Sequence, residues 1–222
     1  MNELLFIFHL LCIGITTLVM LRLGVEALVA FLCVQAILAN IFVLKQITLF
    51  GLNATASDMY IVGSVLSLNL VQEYYGKQLA RKAIWISFTL LIFYTLVSQI
   101  HIFYIPSVHD FTQDYYYNLL SYMPRLTFAS ILVYLMVQYF DTYFYAILKR
   151  FFEGKCLLLR NLISISVSQA LDTVLFSILG LYGIIHNLGQ VMLVAFTIKM
   201  ITMLLLAPTV LGIKKYIRSG DL

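Results

Sequence analysis

The sequence predicts an all-α fold: a polytopic integral membrane helical bundle of about seven transmembrane helices, an N-terminal helix preceding a core of about six. Three observations carry that prediction. Hydrophobic residues fill 62% of the 222 positions and charged residues only 11%, against about 45–50% and about 25% in soluble domains. Mean hydropathy is +0.97, more apolar surface than a soluble core of this size hides from water. The apolar residues also come in continuous runs of about 20, the length a helix needs to cross the hydrocarbon layer. They lack the short alternating pattern of a membrane barrel, so strands are not expected.

The runs are 4–21, 25–44, 58–75, 83–105, 122–148, 160–183 and 188–212. The first has Glu3 as its only early charge, no basic leader and no small-residue exit before Arg22, so it reads as a retained helix rather than a signal peptide. Pro and Gly are scarce, and no low-complexity stretch marks a linker, so residues 1–222 read as a single membrane domain. Lys77, Arg81 and Lys82 crowd the 76–82 link, Lys149, Arg150, Lys155 and Arg160 the 149–160 link, and Lys214, Lys215 and Arg218 the tail. The 106–121 and 184–187 links carry no Lys or Arg. The positive-inside rule therefore places the C-terminus in the cytoplasm and the N-terminus outside. The formal net charge of +4 belongs to these loops, as expected beside anionic lipid, and does not point to nucleic acid. In the 106–121 loop, Tyr115, Tyr116 and Tyr117 read as an aromatic belt at the outer interface, with a substrate gate as the alternative.

No metal or catalytic signature is present. Cys12, Cys33 and Cys156 lack ligand spacing and read as small apolar residues, and His9, His101, His109 and His186 are scattered. H-E-x-x-H, G-x-S-x-G and Walker motifs are missing, so no cofactor and no enzymatic role are expected.

The informative residues are the polar ones inside the apolar runs, because charge at bilayer depth is costly and marks cavities and pathways. The fifth run carries Arg125, Ser130, Tyr134, Gln138 and Asp141, the last three on one helical face. The sixth carries Asn161, Ser164, Ser168, Gln169 and Asp172; the third ends in Asn69, Gln72 and Glu73; the seventh holds Lys199. At about 1.5 Å per residue, Asp141 lies about 12 Å from Lys149, Asn69 about 12 Å from Lys77, Gln169 and Asp172 about 13 and 18 Å from Arg160, and Lys199 about 22 Å from Lys214. Four helices thus bring polar groups to a band between the bilayer centre and its cytoplasmic side. One reading is structural: amides and hydroxyls joining helices, with Asp172 neutralising Lys199. The other is a polar cavity for a flat, hydrogen-bonding small molecule. Carboxylates accept its N–H groups, and amides and Lys donate to its carbonyls. Proton coupling through Asp141 or Asp172 is the further duty open to these groups.

Several stretches resemble one family. QEYYGKQLARKAIW at 72–85, RLTFASILVYLMVQYFDT at 125–142 and RNLISISVSQALDTVLF at 160–176 are similar to signature segments of the queuosine precursor transporters. Asn40 with Lys45, and Lys199 with Pro208, resemble two further elements, so the likeness runs over about 35–212. It implies a bacterial inner-membrane importer of a 7-deazaguanine base for tRNA modification salvage: the cyano or aminomethyl precursor, or queuine. On that reading Arg125, Gln138, Asp141, Gln169, Asp172 and Lys199 bind substrate, while Asn69, Glu73, Lys77 and Arg81 form a gate or coupling region. Asn69 departs from the Asp many relatives carry there. Two other readings stand beside it. One is a binding subunit of an ATPase-energised vitamin-like transporter, and the other an intramembrane enzyme using Asp141 and Asp172 as an acid pair. The partners expected are the small heterocyclic substrate and the bilayer, with a homo-oligomer or an ATPase left open.

Overall fold

The structure, a computed structural model, describes residues 1–153 and 157–201. Lys155, Cys156, Pro208, Lys214, Lys215 and Arg218 lie outside the described residues, as do the side chains of Lys149, Arg160 and Asn161. The chain is a multi-pass helical bundle. Helices α1 (Asn2–Leu23) and α2 (Val25–Phe42) are joined by Gly24 at φ 111°. Helices α3 (Asp58–Tyr75) and α4 (Lys77–Ile102) are joined by Gly76 at φ 92°. A side chain is strained at such φ, and glycine alone turns the chain back there without strain. Leu21, Leu28, Leu70, Val71 and Ala80 bury together around both corners, which therefore share one end of the bundle.

Helix α3 packs on α1, α2 and α4. The closest approach is at Gly63, where an added Cβ would overlap the buried Gln35 amide and a methyl of Ile13. Gln35 Nε2 donates to Ser67 Oγ at 3.2 Å across the same seam. Small residues let helices meet this closely, which in lipid is what replaces the hydrophobic drive to associate. We expect Gly63→Val to cost about 1–3 kcal/mol by overpacking, read as a lower thermal midpoint in detergent micelles; an unchanged midpoint would mean the seam is looser than drawn.

The stretch expected to be a plain loop between α2 and α3 is a β-hairpin, and this corrects the expectation of no strands. Strand β1 (Gln46–Leu49) pairs antiparallel with β2 (Leu52–Thr55) in the register Gln46↔Thr55 to Leu49↔Leu52. Phe50 and Gly51 both have positive φ, 49° and 78°, the two-residue turn whose twist matches the strands. Leu49 and Ala54 bury against Val194. Asn2 Nδ2 donates to Thr48 O at 2.9 Å, the Phe50 N–H donates to Glu3 at 3.1 Å, and Asn53 Nδ2 donates to Gln190 Oε1 at 3.0 Å. Every strand edge in an apolar setting needs such partners.

After α4 the expected loop contains a short helix, α5 (Gln113–Leu120), a second correction. Gln99 Nε2 donates to Leu120 O at 2.8 Å and Gln113 Nε2 to Ile102 O at 3.2 Å, tying it to α4. Tyr115, Tyr116 and Tyr117 stay exposed on it. In the preceding link Asp110 accepts the Thr112 hydroxyl and backbone N–H, which hold its carboxyl below the usual carboxylate range.

Helix α6 (Met123–Phe151) packs on α4 and α7 (Leu157–Phe176), and α7 continues into a π-turn, Ser177–Leu181. The described part of α8 is Leu188–Ile201. Among the described residues five helical stretches are long and apolar enough to cross a membrane: α1, α2, α4, the stretch containing α6, and α7 with its π-turn. Of the seven runs expected to span, α3 falls short through Asp58, Asn69, Gln72 and Glu73, and the described part of α8 through its length. The outward faces of α1 (Leu4, Phe8, Leu11, Ile15) and α4 (Trp85, Phe93, Leu96, Ile100) are apolar and exposed, as surfaces solvated by lipid should be.

Candidate functional site

Helix α7 carries the site's spine. Ser164, Ser168 and Asp172 recur every four residues and so share one side, with Thr173 beside them. The first knot forms against α6. Asp141 Oδ1 accepts Ser164 Oγ at 2.7 Å and Ser168 Oγ at 2.6 Å. Both serines are buried. The second knot forms against α8. Lys199 Nζ donates to Asp172 Oδ2 at 2.6 Å and to Thr173 Oγ1 at 3.1 Å, while the Thr173 hydroxyl donates to Gln169 O at 2.8 Å. The Lys199 side chain is 10% exposed and that of Asp172 32%. The ammonium is thus enclosed, while the carboxylate keeps an open side that can accept N–H groups from a ligand. About 6 Å of helix separates Ser168 from Asp172, so the knots lie at adjacent levels, not at a single depth.

A third carboxylate joins them. Asp58, the first residue of α3, is 4% exposed and lies within electrostatic reach of Lys199. Its carboxylate accepts from Thr55, itself hydrogen-bonded to Ser57 at 2.8 Å. Among the described residues its Oδ2 has no hydrogen-bond partner. The hairpin makes this arrangement, because it folds back between α2 and α3 and packs β2 against α8.

The other residues singled out in the sequence are placed as follows. Gln169 is half-buried on α7, and Gln138 is exposed on α6 one turn before Asp141. Tyr134, on the same face, packs edge-on against Phe88 of α4, ring centroids 5.1 Å apart, so that face looks between α4 and α7. Asn40 accepts from Ser130 at 3.3 Å and joins α2 to α6. Asn69, Glu73, Lys77 and Arg81 are exposed near the α3–α4 corner. Arg125 stands apart: its Nε donates to Leu179 O at 2.9 Å and an Nη to Tyr182 O at 2.7 Å. These carbonyls belong to the π-turn and the residue after it, where the helical ladder ends and acceptors are left over. Arg125→Ala should therefore lower the thermal midpoint, at a cost of about 1–3 kcal/mol. Arg125→Lys, able to reach one carbonyl, should fall between.

Sequence reasoning missed Asp58. Its signal was a carboxylate directly at the edge of an apolar run, which reads equally well as a solvated helix start. Ser164 and Ser168 were noticed as a stripe, but their shared partner was not foreseeable. Among the described residues no group of three or more His, Cys, Asp or Glu is placed to hold a metal ion.

The family model described as "Putative vitamin uptake transporter" matches residues 55–213, from the end of the hairpin through α8. The chain belongs to this family. A relative from Bacillus subtilis (strain 168), described as "Probable queuosine precursor transporter", is 30% identical over 187 residues, 81% of this chain and 82% of its own length. No solved structure matches the chain. Asp58, Asp141, Ser164, Ser168, Asp172 and Lys199 all fall inside the matched span, while α1 and α2 lie outside it.

Proposed function

We propose that this chain imports a queuosine precursor, a 7-deazaguanine base such as the cyano or aminomethyl precursor or queuine, for salvage into tRNA. The observation that carries the reading is the likeness to the Bacillus subtilis relative over 81% of the chain, with the half-open Asp172–Lys199 pair as its chemical complement. A deazaguanine presents adjacent N–H donors beside a carbonyl. A carboxylate accepts the donors in parallel, and an ammonium or amide donates to the oxygen. In this reading Asp172 and Lys199 meet the base, Gln169 and Gln138 are within the same path, and Asp141 fixes α6 to α7 along it. Arg125 acts as a clasp at the end of α7. Asn69, Glu73, Lys77 and Arg81 form the gate at the α3–α4 corner, which faces the cytoplasm, with the N-terminus outside. The whole chain acts as one transporter domain, and no enzymatic step is involved.

The test is uptake in a bacterium lacking both queuosine synthesis and its own importer. Each precursor is supplied at low concentration and tRNA is assayed for queuosine, with an inserting enzyme present for queuine. Restoration by one of them is expected. No restoration by any, with the protein in the membrane and the downstream enzymes competent, would overturn the substrate assignment.

A further inference from the structure

We propose that Asp58, Lys199 and Asp172 form a proton-binding site in which two carboxylates share one ammonium, and that the proton is taken up at Oδ2 of Asp58. The inference deepens the importer reading, and rests on it only for the use to which the proton is put. Three elements meet here by charge: α3 through Asp58, α7 through Asp172 and α8 through Lys199. With all three ionised the group carries one uncompensated negative charge. Such a charge is strongly disfavoured away from water, and a group that can lose it by taking up a proton does so. Lys199 is committed to Asp172 at 2.6 Å and to Thr173 at 3.1 Å, which leaves Asp58 the member without a close cation among the described residues. Its Oδ2 is the atom with no partner among the described residues, in a side chain only 4% exposed.

Among the described residues no second cation does the work instead. The hairpin faces Asp58 with neutral Thr55 and Ser57. Helix α2 offers neutral Gln35 and Asn40 inside the bundle. Beyond its end, Lys45 lines a cavity of about 300 Å³ with His9, Phe42, Ala56, Met59 and Tyr60, whose lining does not include Asp58. His9 of α1 is stacked edge-on to Tyr60 at 4.9 Å, and Asp58, two residues before Tyr60, projects to the other side of α3. Glu3 of α1 is held by the Phe50 N–H and the N-terminal ammonium. Lys77, Arg81 and Lys82 of α4 are at the opposite end of α3. The step is a simple protonation. A proton from water adds to Oδ2, the carboxylate becomes a neutral carboxylic acid, and Lys199 remains paired one-to-one with Asp172. Release to the other side, with substrate bound between, would couple import to a proton gradient.

The experiment is an infrared titration of the purified full chain in lipid nanodiscs, following the carbonyl stretch of protonated carboxyl groups as the pH is lowered. The wild type should show a protonated-carboxyl band already at a pH where ordinary carboxylates are still ionised, and Asp58→Asn should remove that band while the helical amide band stays unchanged. Lys199→Met should raise the midpoint by about one pH unit or more, because an attractive cation is lost. Asp172→Asn should lower it, because the ammonium is no longer shared. Opposite shifts from two members of one ion pair are not produced by a merely structural role, and they keep the test decisive if Asp58→Asn does not fold. A band retained in folded Asp58→Asn, shifts in the same direction, or no shifts would overturn the proposal. So would displacement of the band by sodium at fixed pH, which would make the ligand an alkali cation. Since no substrate is added, failure here and failure of the uptake assay are separate results.

Discussion

Asp172→Asn should reduce the initial rate of precursor uptake by at least about tenfold, and Lys199→Met should do the same, with both variants assayed at equal membrane level. The pair is the point at which α7 and α8 meet by charge, and it is the most enclosed ion pair among the described residues, with Lys199 10% and Asp172 32% exposed. Removing one member leaves the other charge in a low-dielectric setting, which typically costs about 3–5 kcal/mol. The costs should differ. Loss of Asp172 strands an ammonium with Thr173 and only the electrostatic reach of Asp58, whereas loss of Lys199 leaves carboxylates, one of them a third exposed and able to hydrate. The double variant Asp172→Asn/Lys199→Met should recover most of the lost thermal stability, since no unpaired charge remains in the pair, but not the uptake, because the groups that read the base are gone. A double variant that regains transport would show that the pair is structural glue and that the base is read elsewhere.

The second large effect is expected at Asp141. Asp141→Ala should lower thermal stability by about 1–3 kcal/mol, the cost of removing an acceptor shared by two hydroxyls. The loss stays moderate because Ser164 and Ser168 can turn back to carbonyls of their own helix. Asp141→Asn keeps an oxygen for those hydroxyls and should retain more than half of the stability. Uptake separates the two duties: a packing role predicts that Asp141→Asn transports nearly as well as the wild type. If Asn is as damaging to uptake as Ala while stability is kept, the charge of Asp141 takes part in transport. Measuring the thermal midpoint and the uptake rate on the same preparations distinguishes these outcomes.

Much of the site was legible because lipid leaves a sequence few options. A charge retained in an apolar run needs a partner or a cavity, and that argument selected Asp141, Asp172 and Lys199 before any geometry was known. The same argument selected Arg125, whose guanidinium instead binds the Leu179 and Tyr182 carbonyls. From the sequence, an arginine facing a ligand and one closing a helix end look alike, because both satisfy the same donors at the same depth.

The apolar runs by themselves determined that the chain is a multi-pass helical bundle and, among the described residues, roughly where its long helices lie. Their information is local: about 20 apolar residues are enough to specify a helix in lipid, whatever its neighbours. Pairing was decided by tertiary structure alone. The hairpin at 46–55 has no Asn-Gly turn to announce it. It exists because Leu49 and Ala54 can bury against Val194 and because Asn2, Glu3 and Gln190 satisfy its edges. By folding back it turns Asp58 from a solvated helix start into a carboxylate 4% exposed within electrostatic reach of Lys199, about 140 residues further along the chain. No window of sequence contains both residues, and the energy that links them depends on the low dielectric the completed bundle creates.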